Sequence, residues 1–191
     1  MLPEGFEYRP DFLDAPTAYG LFTRLLEQVG WAAREIVLFG KPVMQPRRMA
    51  WAADPGVRYQ YSGLALEPAP WHPAVDRLRH MLVEDTGHAF NSVLMNLYRD
   101  GADSMGWHAD NEPELGRAPV VASISLGAVR RFRLRHRTSR ESRGIDLAAG
   151  SLLLMSGRSQ LDWQHALPKT RRPVGPRIIL TFRVVTAPLR R

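Results

Sequence analysis

Residues 120–137 read VVASISLGAVRRFRLRHR. Two extended runs, Val120–Leu126 and Val129–Arg137, flank Gly127-Ala128, a turn signal. In the second run Arg131, Arg133, Arg135 and Arg137 share one face, while Phe132 and Leu134 share the other. That period of two marks a strand with one wet side. The texture recurs in Ser92–Tyr98, Ser151–Met155 and Ile178–Val185, with turn signals at Asp100-Gly101 and Ala149-Gly150. Short strands joined by β turns without intervening helices predict a sandwich, barrel or jelly roll beyond residue 90.

Upstream the period changes. Ala18, Leu21, Phe22, Leu25, Leu26 and Val29 form one helical stripe and predict a helix over about 16–29. Asp14 can cap it, Pro16 suits its first turn and Gly30 ends it. Val75, Leu78, Leu82 and Val83 predict a second helix over about 72–86, closed by Gly87. Extended pieces lie between them at Glu35–Phe39, Arg47–Trp51 and Arg58–Tyr61. The chain reads as mainly β with flanking helices, one domain over 1–191. Residues 1–90 form an N-terminal helical extension and 91–191 a β core.

The 191 residues suffice for a buried core, and 45% hydrophobic with 24% charged content excludes wholesale disorder. Cys is 0, which excludes disulfides, thiolate metal sites and a cysteine nucleophile. No apolar run approaches a membrane span, and Glu4 and Glu7 sit where a signal peptide would be basic and apolar. We expect a soluble, cytoplasmic monomer with no membrane partner. Formal net charge is +7, and all but two of the 26 Lys+Arg residues are arginine. Residues 130–143 hold seven arginines against one acid, and 169–191 hold seven cations and no acid. Such a face suits a polyanion, nucleic acid first; a GC-rich genome would give the same arginine excess.

His108-x-Asp110 follows the polar stretch Asp100–Trp107, and two residues apart on an extended segment both side chains point one way. His165 lies downstream across several strands. Two imidazoles and a carboxylate make the ligand set of non-heme Fe(II) oxygenases and also of catalytic zinc sites. In Arg177-Ile-Ile-Leu-Thr-Phe-Arg183, Arg177, Ile179, Thr181 and Arg183 share one face and Ile178, Leu180 and Phe182 the other. Arginines on a strand apolar on both faces point to an interior cavity, where a guanidinium needs a carboxylate. A dicarboxylate cosubstrate would satisfy both. Asn96 and Tyr98 share a face of their own strand and can donate to a carboxylate.

In this order, Asn96-x-Tyr98, His108-x-Asp110, His165 and Arg177-x5-Arg183 resemble the AlkB family of Fe(II)/2-oxoglutarate-dependent dioxygenases. The similarity runs over about 35–185 and includes Ala-Ser-Ile-Ser-Leu-Gly, Gly-Ser-Leu-Leu-Leu-Met, His-Ala-Leu-Pro and Leu-Thr-Phe-Arg. It implies a double-stranded β-helix, or jelly roll, with Fe(II) on His108, Asp110 and His165. It implies 2-oxoglutarate on Arg177 at one carboxylate and on Arg183 with Asn96 at the other, near Tyr98 and Thr181, with O2 as oxidant.

The N-terminal half is most similar to the branch that repairs double-stranded DNA. Leu38-Phe39-Gly40-Lys41 resembles that branch's wedge hairpin, with Phe39 as the aromatic filling the gap of a flipped base. Pro46-Arg47-Arg48 and Tyr59-Gln60-Tyr61-Ser62-Gly63 resemble its nucleotide-recognition lid, with Tyr59 and Tyr61 against the base or packed on the core. Lys41, Arg47, Arg48, Arg131 and Arg133 are candidates for phosphate, which positions nucleic acid without reading it. The pattern departs at Ile179, where the family commonly has Asn, and at Asn111, where repair enzymes often carry a second acid before Glu112. The implied function is oxidative dealkylation of N-alkylated bases such as 1-methyladenine and 3-methylcytosine in single- or double-stranded DNA, releasing succinate, CO2 and formaldehyde. RNA, a protein or a small molecule as substrate, and a silent nucleic-acid-binding module, are the alternatives.

Overall fold

The computed structural model describes residues 2–38, 41–61, 64–66 and 68–186. In chain order the strands are β1 (Phe6–Arg9), β2 (Ala32–Leu38), β3 (Lys41–Ala53), β4 (Tyr59–Tyr61), β5 (Leu64–Leu66), β6 (Ser92–Tyr98), β7 (Met105–His108), β8 (Val121–Gly127), β9 (Arg130–His136), β10 (Ser142–Leu147), β11 (Leu152–Met155), β12 (Trp163–Leu167) and β13 (Arg177–Arg183). The helices are α1 (Ala15–Gln28), α2 (Pro73–Thr86) and the single turn α3 (Ser159–Asp162). No helix among the described residues is long and apolar enough to cross a membrane.

A seven-stranded antiparallel sheet runs β1-β11-β8-β13-β6-β3-β2, and a four-stranded one runs β10-β9-β12-β7. Alternation sorts the layers. On the large sheet Val93, Met95, Leu97, Ala122, Ile124, Ile178, Leu180 and Phe182 pack with Leu25 of α1 and Val75, Leu78 and Leu82 of α2. Its other face gives Tyr98, Val121, Leu153, Met155 and Ile179, which pack with Phe132, Leu134, Trp163 and Leu167 of the small sheet. Two facing antiparallel sheets with helices behind one of them are the expected jelly-roll arrangement.

Local signals account for the helices. Asp14 accepts from the Thr17 backbone N–H at 2.8 Å and caps α1. Val29 ends α1 in extended backbone, so the stop is not a left-handed glycine at position 30. At α2 the expected glycine stop is present: Gly87 has φ 72° and donates to the Val83 carbonyl. Gly127 has φ 80°, and a Cβ there would meet the Pro176 carbonyl and the Phe22 ring, so only glycine fits this turn. The flanking strands β8 and β9 lie in different sheets, making residues 127–129 a bridge between the layers.

The sheet crosses the boundary expected at residue 90. β1, β2 and β3 supply three of its seven strands, and β3 pairs with β6 in the register Met49↔Asn96. β3 runs unbroken through Pro42 and Pro46 where only a piece at 47–51 was expected. The β2–β3 ladder shifts register between Ala33↔Arg48 and Glu35↔Met44, so Pro46 falls where no ladder N–H is required. β1, β5, β7, β10 and β12 lie outside the stretches that the sequence pattern marks as extended.

Candidate metal and cosubstrate site

Parity in two strands and one turn of chain bring the predicted ligands together. β12 pairs with β7 so that His165 stands opposite His108, and their ring centroids are 4.2 Å apart. Asp110 follows two residues after His108 and is 1% exposed. One ligand atom from each of the three lies within 4.8 Å of the other two. The cavity around them is walled by Asn96, Tyr98, Thr181 and Arg183 from the large sheet and by Phe132 and Leu167 from the small one.

Each donor is held in the state a cation needs. The His108 Nδ1 lies 2.9 Å from the Gly106 carbonyl, which can only accept, so Nδ1 carries the proton and Nε2 keeps its lone pair. Burial lowers the pKa of His108 and pushes that of His165 down to about 3, where the neighbouring His108 adds to the effect. Both rings are therefore neutral near pH 7. Burial alone would raise the Asp110 carboxyl, but the Arg183 guanidinium, through its charge and its hydrogen bond, outweighs it and the carboxyl is lowered to about 2. Its Oδ1 accepts from Arg183 Nη2 at 2.6 Å, while Oδ2 faces His165 Nε2 at 3.8 Å. One carboxylate oxygen is thus held by the arginine and the other is turned to His165. Two neutral imidazoles and an ionised carboxylate fit Fe(II).

The cosubstrate residues divide. Asn96, Tyr98, Thr181 and Arg183 line the cavity. Arg183 meets Asp110, and the Asn96 Oδ1 accepts from Arg47 Nε at 2.8 Å, so the two residues expected to share one cosubstrate carboxylate have protein partners. Arg177 does not line the cavity wall; it stands opposite Tyr98 in the ladder and is 1% exposed. It donates to the Ser125 hydroxyl at 2.8 Å and to the Leu147 carbonyl at 3.1 Å. Its Nε is buried without a partner, and no ion pair to it is found among the described residues. Burial lowers its pKa to about 10, which still leaves it charged at pH 7. A buried guanidinium with an unused donor fits a carboxylate.

The nucleic-acid candidates fare differently. Phe39 lies outside the described residues, and of Tyr59 and Tyr61 only the backbone is described, in β4. Arg47 is not a surface phosphate contact: it is 5% exposed and its guanidinium is spent on Asn96. Burial of β3 against β6 draws it inward. Lys41 and Arg48 are exposed. So are Arg131 and Arg133, on the face of β9 opposite Phe132 and Leu134, which points away from the cavity. Arg131 pairs with Asp146 at 3.0 Å and Arg133 donates to Ser142 Oγ at 3.2 Å. Asn111 is exposed and Glu112 half-buried just beyond Asp110.

Sequence reading missed several residues of the site. Ser123 and Ser125 alternate with apolar residues in β8 and face the cavity side, a parity signal of the kind that found Arg177 and Arg183. Arg130, buried, donates to the Asp100, Asp103 and Pro168 carbonyls and ties the segment before β7 to the one after β12. Gln160 had no signal, being on a one-turn helix. It is fully buried, and its Oε1 accepts from the Asp110 backbone N–H at 2.9 Å. A backbone N–H can only donate, which fixes the amide orientation and leaves Nε2 on Met155 Sδ at 3.4 Å. Replacing such a support costs about 10–100-fold in metal affinity. Gln160→Leu is expected to weaken Mn(II) binding by that factor in an anaerobic titration, with the circular dichroism spectrum unchanged; wild-type affinity would remove the positioning role.

Comparison with known proteins gives an independent view. The family described as the 2OG-Fe(II) oxygenase superfamily matches residues 5–183. Alpha-ketoglutarate-dependent dioxygenase alkB homolog 3 of Bos taurus is 42% identical over 186 residues, 92% of this chain and 64% of that protein. DNA oxidative demethylase ALKBH2 of Mus musculus is 40% identical over 176 residues, 86% of this chain and 74% of that protein. The chain thus spans 64% of the length of the first of these, and the two identities do not separate the branches. The solved structure of OsALKBH1 superposes with a TM-score of 0.69 at 16% identity, covering 96% of this chain and 99% of the other. A Pseudomonas putida prolyl-4-hydroxylase does so at 0.59 and 16%, covering 96% and 93%. At such identities these two likenesses show the fold alone.

Proposed function

The chain belongs to the AlkB family of the 2OG-Fe(II) oxygenase superfamily, and on that basis we propose that it repairs N-alkylated nucleic-acid bases by oxidative dealkylation. Family membership implies Fe(II), 2-oxoglutarate and O2. The observation that carries the reading is the convergence of His108, Asp110 and His165 on one buried cavity, in a chain 40% identical to a protein named a DNA oxidative demethylase.

The bound metal and cosubstrate supply the oxidation of one C–H bond of the N-alkyl group. For a methyl group the balance is base–N–CH3, O2 and 2-oxoglutarate giving base–N–H, formaldehyde, succinate and CO2. The protein's part is to bind, orient and keep water out. His108, Asp110 and His165 would hold the metal, and Gln160 and Arg183 would hold Asp110 in place. Arg177 would take a cosubstrate carboxylate from within the large sheet, with Asn96, Tyr98, Thr181 and Arg183 around the cosubstrate. Phe132 lies stacked against His165 with ring centroids 5.3 Å apart, and with Leu167 gives the metal side an apolar wall. Exposed Lys41 and Arg48 on β3, with Arg131 and Arg133 on β9, offer charge to phosphates.

The test supplies Fe(II), ascorbate and 2-oxoglutarate with oligonucleotides carrying 1-methyladenine or 3-methylcytosine, as single-stranded DNA, duplex DNA and RNA. Loss of the methyl mass with one formaldehyde per lesion is expected. Turnover of 2-oxoglutarate with every oligonucleotide left intact would end the proposal.

A further inference from the structure

The structure assigns Gln45 as a specificity-determining residue that reads the amino/ring-nitrogen edge of an extruded adenine-type base. The inference rests on the proposed dealkylation of bases. Gln45 is 3% exposed, yet neither its Oε1 nor its Nε2 has a hydrogen-bond partner among the described residues. A buried amide without partners is a cost to the fold, and such groups in native proteins call for a functional account.

Its place in the fold follows from register. Met49 of β3 stands directly opposite Asn96 of β6, so the two share a face, and Asn96 lines the cavity. Burial alternates along this part of β3: Gln45, Arg47 and Met49 are buried, while Met44, Pro46 and Arg48 are exposed. Gln45 therefore lies on the same face of β3 as the cavity, outside the cavity wall itself and beyond Arg47, whose guanidinium reaches Asn96. At about 3.3 Å per residue it stands roughly 7 Å farther toward the β2–β3 hairpin. The register shift in the β2–β3 ladder falls beside it, and irregularities of this kind re-aim side chains next to sites.

A primary amide offers one acceptor beside two donors. Glutamine matches adenine bidentately through the N6 amino group and N7. When N1 carries the alkyl group and that group is turned to the metal, the N6/N7 edge is the one still open to the protein. Cytosine alkylated at N3 has an amino group but no N7, so it can make only one of the two bonds. Gln45 thus favours the purine lesion over the pyrimidine one.

The experiment compares kcat/KM for single-stranded oligonucleotides carrying 1-methyladenine, 7-deaza-1-methyladenine or 3-methylcytosine, using the wild type and Gln45→Met. A bidentate pair discriminates by roughly 5–150-fold. Gln45→Met is expected to lower the adenine-to-cytosine ratio about tenfold while leaving its unfolding midpoint unchanged or higher. Wild-type enzyme should lose about tenfold on the 7-deaza base, and Gln45→Met should not notice it. The deaza comparison needs no variant, so it decides even if Gln45→Met folds poorly. Equal wild-type rates on the two adenine bases would overturn the assignment. A wild type active on no methylated oligonucleotide would overturn the dealkylase reading and this inference with it.

Discussion

Asp110→Ala is expected to abolish metal binding and to destabilise the metal-free protein by about 3–5 kcal/mol, the usual cost of breaking a buried ion pair from one side. Asp110 does two things at once. One carboxylate oxygen faces His165, and the other accepts from Arg183 at 2.6 Å with both side chains buried. Truncation removes the only carboxylate of the metal set and the counter-charge of the guanidinium. His165→Ala should also lose the metal but keeps the Asp110–Arg183 pair, so its metal-free stability should fall less. Urea denaturation of wild type, Asp110→Ala and His165→Ala in chelator measures the difference. An Asp110→Ala protein as stable as wild type would mean that the ion pair contributes nothing net.

Arg177→Met should weaken 2-oxoglutarate binding by about 30–5000-fold, corresponding to the 2–5 kcal/mol that truncating one partner of a buried charge pair costs. The guanidinium is buried, charged, and held by a hydroxyl and carbonyls alone, with its Nε unused. A ligand carboxylate would be its first full counter-charge among the described residues. Calorimetric titration of 2-oxoglutarate into Mn(II)-loaded protein without O2 isolates binding from turnover. An unchanged Kd would place the cosubstrate away from Arg177.

The same two arginines show how far the sequence could be read. Seven residues with apolar partners on both faces forced them inside a sheet, and β13 has all seven buried. Parity could say which face but not what stands across from it, so the contact of Arg183 with Asp110 and the distance of Arg177 from the cavity wall were out of reach. Arg47 misled for a related reason. In a basic stretch beside two prolines it resembles a surface residue, and only the β3–β6 ladder buries it on Asn96. β7 and β10 escaped because Gly106 and a run of charged residues suppress the strand pattern, and pairing with β12 and β9 overrides weak propensity. The candidate metal triad was legible because His108-x-Asp110 and His165 stand in a fixed order with Asn96-x-Tyr98 and Arg177-x5-Arg183. Gln160 and Gln45 were not, since one amide on a short helix and one on a strand carry no periodic signal.

β13 is the last strand among the described residues and sits in the middle of the large sheet, between β8 and β6. A nascent chain that stops short of residue 177 already contains His108, Asp110 and His165, but β8 and β6 have a gap between them. Arg183 is then not there to hold Asp110, and Arg177 is missing altogether. The candidate iron ligands are therefore made early and organised late. Closure depends on a strand that must slot between two others made 50 or more residues before it, a non-local pairing of the kind that folds slowly. In a chain still being synthesised, the three candidate ligands would therefore stand without the two arginines, and the cavity is complete only once β13 has paired with β8 and β6.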